Sequence, residues 1–140
     1  MYIYYFSLLY FVDRTTCSYD NSASVNTDIH VKSTKGEICS PGYPHLYSGQ
    51  ITCIWTIKVP RGFKVKLTFT EFKLNSSADY LEVHEGSSSL SPLMGTFAGS
   101  FNLPPDLYTS GRTMWLKFTI DSSGSAKGFH ALFSAVTSGR

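Results

Sequence analysis

The stretch "FKVKLTF", residues 63 to 69, alternates Phe63, Val65, Leu67 and Phe69 with Lys64, Lys66 and Thr68. Successive side chains of a strand point to opposite faces, so this spacing makes one face apolar and leaves the other to water. The same alternation recurs in "CIWTIKV" (Trp55, Ile57, Val59), "YLEV" (Leu81, Val83), "MWLKFTI" (Met114, Leu116, Phe118, Ile120) and "FHALF" (Phe129, Ala131, Phe133). Outside the aromatic N-terminal stretch, no window of a dozen residues keeps the apolar stripe of an amphipathic helix. These segments therefore read as five core strands, each with one buried face.

Between them lie turn formers: "SPGYP" (40–44), "VPRGF" (59–63), "HEGSSS" (84–89), "LPPDL" (103–107), "TSGR" (109–112) and "SSGSAKG" (122–128). Gly and Pro at these places end a strand through local backbone chemistry. Many short strands separated by such turns predict an all-β fold of two packed antiparallel sheets.

A chain of 140 residues holds one such domain, and its composition, 42% apolar against 16% charged, supplies a core without the charge excess of a disordered chain. A formal net charge of +2 is far from the basic surface that neutralises phosphates, which argues against a nucleic-acid partner. The opening "MYIYYFSLLYFV" is too short to span a bilayer, which takes roughly 20 apolar residues. It suits the apolar centre of a secretion signal, although no leading Lys or Arg and no small-x-small cleavage site accompany it; a misplaced start is the plainer alternative. Residues 1–15 are read as this leader and the small polar run 16–27 as a linker or loosely held first strand. Cys17, Cys39 and Cys53 are three isolated cysteines without a C-x-x-C pair, so one disulfide plus one remaining thiol fits better than a zinc knot. In a secreted chain, a bridge closing some 35 residues would add about 3 to 4 kcal/mol in the loop-entropy account.

Taken in order, "GEICSPGYPHLY", "CIWTIKVP", "VKLTFTEFKL", "DYLEVHEG", "LMGTFAG" and "FTIDSSGSAKGFHALF" resemble a CUB domain over residues 28–136, leaving 137–140 as a tail. The resemblance implies an extracellular, two-sheet antiparallel jelly-roll β-sandwich of the spermadhesin-like superfamily. It also implies that Cys17 pairs with Cys53, with Cys39 a buried thiol behaving as a small hydrophobe; a Cys39–Cys53 bridge is the alternative. The family's usual second disulfide is absent, because both of its places are taken by alanine, Ala78 and Ala98.

Many members bind calcium at one end of the sandwich. The resemblance carries that role onto Asp79, Asp121 and Tyr47, while the family's Glu position falls at Asn75. Calcium takes about 6 to 8 oxygen ligands, so a lost carboxylate weakens the set. Glu71 would replace it only if the strand end bent. The plainer alternative is that Asp79 and Asp121 cap loops by accepting backbone N–H bonds, with Glu82 and His84 on an outward polar face. Asn75 also opens "NSS", a glycosylation acceptor in a secreted chain.

Partner binding is expected on the end loops around Tyr47, Asp79, Asp121 and Ser122. Lys64 and Lys66 could instead meet a sulphated glycan or another polyanion, although a solvated strand face explains them as well. Catalysis is not expected: the carboxylates sit on Ser- and Gly-rich loops, and His30, His45, His84 and His130 stand beside no nucleophile motif and are read as surface residues. The chain is thus expected to be a secreted, non-catalytic binding module, calcium-assisted or glycan-binding, or an accessory domain of an astacin-like or complement-like protease or of a receptor.

Overall fold

The computed structural model describes residues 14–16, 24–48, 50–75, 79–99, 102–120 and 125–137. Its strands are β1 (Arg14–Thr16), β2 (Ser24–Lys32), β3 (Lys35–Cys39), β4 (Tyr47–Ser48), β5 (Gln50–Lys58), β6 (Phe63–Lys73), β7 (Tyr80–Glu85), β8 (Leu93–Ala98), β9 (Leu107–Tyr108), β10 (Thr113–Ile120), β11 (Ser125–Ala126) and β12 (Gly128–Thr137). There is no helix among the described residues.

Two five-stranded sheets form the sandwich, ordered β9-β6-β12-β3-β1 and β2-β5-β10-β7-β8, and β11 pairs with β4 in a small ribbon. Pairing is antiparallel except at two edges, where β1 joins β3 and β2 joins β5 in parallel. The expected two-sheet sandwich is present, and the correction concerns those edges: the N-terminal segments join strands they do not follow by a hairpin, so short-range turn signals could not announce them. The strand β2 begins at Ser24, inside the 16–27 segment read as a linker or loosely held first strand. The expected 1–13 part of the leader lies outside the described residues.

The inward face of each strand is the one its alternation marks. Val65, Leu67, Phe129, Ala131 and Phe133 of one sheet meet Trp55, Ile57, Leu81, Val83, Leu116 and Phe118 of the other, all at most 2% exposed. Phe129 joins the layers: its ring lies edge-on to Phe118 at 5.1 Å and to Trp55 at 5.7 Å across the interface, and within 6.3 to 6.4 Å of Phe69 and Phe72 on its own sheet. Such edge-to-face pairs add to the area term because the positive ring edge meets the negative ring face.

Strict alternation cannot place both Phe69 and Phe72 inside. The β6–β12 register resolves this by shifting between His130 and Ala131: His130 faces Glu71, and Ala131 faces Phe69, leaving Thr70 as the extra residue of a β-bulge. Phe72 and Leu74 turn inward as a result, each 4% exposed. Thr70 and Glu71 are carried to the outer face. Phe63, by contrast, is 39% exposed at the strand start, so its place in the expected apolar face does not make it core. Turn chemistry closes the other hairpins; Gly86 in "HEGSSS" has φ +143, where a side chain would run into Ser91.

Replacing Phe129 by Ala is expected to cost about 3–5 kcal/mol, and thereby to lower Tm by roughly 10–20 °C. Phe63→Ala should cost about 1 kcal/mol or less. Thermal melts of the two variants check the contrast.

Candidate functional site

One end of the sandwich collects several of the residues singled out in the sequence. Tyr80 opens β7 and pairs with Thr119 near the end of β10 and with Ala98 at the end of β8. Asp79 therefore stands where β10 leaves the sheet after Ile120. Leu74 brings the neighbouring loop in by donating its N–H to Gly99 O at 3.0 Å, which sets Asn75 at this same end. Asp79 is fully buried. The backbone of Tyr47 pairs with Ala126 in the β4–β11 ribbon. Asp121 and Ser122 lie outside the described residues, as does the side chain of Tyr47.

Glu71 does not turn toward that end. It accepts a 2.5 Å hydrogen bond from the Tyr43 hydroxyl and pairs with Lys127 at 2.9 Å. Hydrogen bonds from Tyr43 first, then from Lys127, hold the Glu71 carboxyl below the usual range, against a smaller opposing effect of burial. The same bond to Glu71, with burial and the carboxylate's charge, pushes the Tyr43 phenol up to about 12. The Tyr43 ring stacks on His130 at 5.5 Å, and His130 Nε2 lies 2.9 Å from Glu37 Oε1.

Two histidines expected at the surface are not free surface groups. His84 is 6% exposed. It does lie on the outward face beside Glu82, but the Trp115 ring packs edge-on against it at 5.1 Å, Nδ1 contacts Ser91 O at 2.8 Å and Nε2 contacts Glu82 at 3.1 Å. His130 is half-buried in the Tyr43–Glu37 cluster just described. Nothing in the strand pattern names the residue that packs beside an outward side chain, which is why both were missed; the adjacent Trp115 was the one available signal.

Lys64 and Lys66 share the outer face of β6 and flank the Tyr108 ring at 5.8 and 5.7 Å. Lys66 also lies 4.0 Å from Asp106, which offsets part of its charge. Cys53 is fully buried in the core, and Cys39 is a buried thiol; Cys17 lies outside the described residues.

With fold and site in place, comparison with known proteins is direct. The CUB domain profile matches residues 26–133. Human Tolloid-like protein 2 is 38% identical over 114 residues, covering 79% of this chain and 11% of that protein. The full extracellular region of zebrafish Gpr126/Adgrg6 superposes with TM-score 0.70 at 31% identity, over 79% of this chain and 15% of the other. The MASP-1 CUB2 domain bound to Ca2+ superposes with TM-score 0.64 at 28% identity, over 76% of this chain and 97% of the other. The chain belongs to the CUB domain family, a class of non-catalytic protein-interaction modules. It spans about a tenth of the length of the Tolloid-like relatives it matches.

The Tyr43–Glu71 pair predicts opposite pH limits. Glu71, held low, contributes stability that is complete above the ordinary carboxylate value of 4.5 and is lost as pH falls through its lowered value. Tyr43, held high, contributes stability that is complete below 10 and is lost as pH rises toward about 12. The phenolate absorbance difference between the native chain and Tyr43→Phe should have its midpoint near 12 and move down in Glu71→Gln; a midpoint near 10 would contradict the pairing.

Proposed function

We propose that this chain works as an extracellular adhesive module that binds another protein through the end loops carrying Tyr47, Asp79, Asp121 and Ser122, with calcium ordering those loops. The observation that carries the reading is the fully buried Asp79 carboxylate at the sheet end that Asn75 also reaches. The donors that the family resemblance would gather there are hard oxygens: the carboxylates of Asp79 and Asp121, the Asn75 amide carbonyl and the Tyr47 phenol. This set fits calcium and offers no soft ligand. Bound there, the ion would supply the positive charge around which the loop oxygens gather. The calcium-bound MASP-1 relative supports the reading. Asn75 in place of a carboxylate lowers the expected affinity to the extracellular range of roughly 10⁻⁴–10⁻³ M.

Secretion fits this role, with Cys17 bridged to Cys53 and Asn75 open to glycosylation. A glycan on Asn75 and calcium at the same loop would compete. Lys64 and Lys66 suit a polyanion less well, since Asp106 lies beside Lys66.

Calorimetric titration of the unglycosylated chain with calcium tests the proposal. One ion per chain is expected, binding should vanish in Asp79→Ala, and calcium at a hundred times Kd should add about 2.7 kcal/mol to stability. A chain that folds and takes up no calcium would refute the metal-assisted form.

A further inference from the structure

On the outer face of the first sheet, the β3–β12 register sets His130 directly across from Cys39, with Glu37 two residues away on the same strand face. Ile38, between them, turns into the core. One ligand atom from each of Glu37, Cys39 and His130 lies within 4.8 Å of the other two.

His130 is oriented by the bulged residue. Thr70 Oγ1 is hydrogen-bonded to His130 Nδ1, and the same hydroxyl donates to the His130 carbonyl at 3.2 Å. In the tautomer protonated at Nδ1, the hydroxyl accepts from Nδ1–H and Nε2 offers its lone pair; in the other tautomer, Nε2–H donates to Glu37. That nitrogen lies 2.9 Å from Glu37 Oε1.

We propose that Glu37, Cys39 and His130 form a binding site for one divalent transition ion of the zinc class, with solvent as the fourth ligand. Carboxylate, thiolate and imidazole together are a zinc donor set. Calcium, which takes oxygen ligands, would not select a sulfur. Ligand atoms around a tetrahedral zinc, with bonds of about 2.0–2.3 Å, sit roughly 3.3–3.6 Å apart, so the Glu37–His130 pair, at 2.9 Å, would open slightly while Cys39, within 4.8 Å of both, closes in. Thr70 fixes the imidazole in the way metal-bound histidines are held by a partner on their other nitrogen, and the Tyr43 ring backs it at 5.5 Å. An ion can reach the site: Glu37 and His130 side chains are 24% and 18% exposed, and Glu37 lines an open groove beside Lys66, Thr68 and Leu132. None of the three residues belongs to the end-loop oxygen set, so this site is independent of calcium binding there. Zinc uptake would release the Cys39 proton, and affinity would fall with falling pH.

The test uses the full chain, handled without oxygen so that Cys39 stays a thiol and in excess calcium chloride, titrated with zinc by calorimetry and with cobalt by absorption. One ion per chain is expected, with a cobalt–thiolate charge-transfer band that Cys39→Ser removes. His130→Gln should abolish tight zinc uptake, and Thr70→Val should weaken it about 10–100-fold with the melting curve unchanged. Should Cys39→Ser fail to fold, His130→Gln and Glu37→Gln carry the same decision, since both side chains are partly exposed. A natively folded chain that takes up no zinc overturns the proposal. So does tight stoichiometric uptake that survives His130→Gln.

Discussion

Phe129 touches both layers at once. Its ring meets Phe118 and Trp55 across the sandwich and Phe69 and Phe72 beside it, and it is fully buried. An aromatic side chain buries a large apolar area with few rotatable bonds, so a cluster of five rings sets the sheet separation at a small entropy cost. The strands that carry these rings, β5, β6, β10 and β12, are all interior to their sheets. The loops at the sheet ends are thereby held by a rigid frame and can vary in sequence without disturbing it.

The bulge at Thr70 is the condition for that cluster. A regular β6 would turn Glu71 inward beside Phe69 and leave Phe72 in water. Burying a carboxylate in that apolar setting would be far costlier than leaving one residue unpaired in the ladder. The extra residue reverses the phase, and the outer face then receives Thr70 and Glu71 beside His130. One backbone irregularity thus completes the core on one side of the sheet and assembles a polar cluster on the other. The Tyr43–Glu71 contact depends on it, whereas Glu37 and His130 meet across the regular β3–β12 ladder.

Much of this was legible in the residues. Val65, Leu67, Trp55, Ile57, Leu81, Val83, Leu116, Phe118, Phe129, Ala131 and Phe133 face inward as their alternation predicts, because a period of two is a local property. The family was legible too, from ordered motifs. The bulge was not: "TFTEF" breaks alternation, but only the partner strand shows where the extra residue goes. The parallel edges formed by β1 and β2 are long-range pairings with no turn to signal them. Of the end-loop set, Asp79 and Asn75 lie at one sheet end, while Asp121, Ser122 and the Tyr47 side chain lie outside the described residues. The outer cluster stayed hidden because Glu37, Cys39, Glu71 and His130 come from three strands, and register alone brings them together.

Proton–proton distances across β6 and β12, measured by nuclear Overhauser spectroscopy, test the central claim most directly. The bulged register predicts contacts between the Phe72 and Phe129 rings and between the Thr70 side chain and the His130 imidazole. A regular ladder, with Phe72 in solvent and Glu71 beside Phe129, would contradict it.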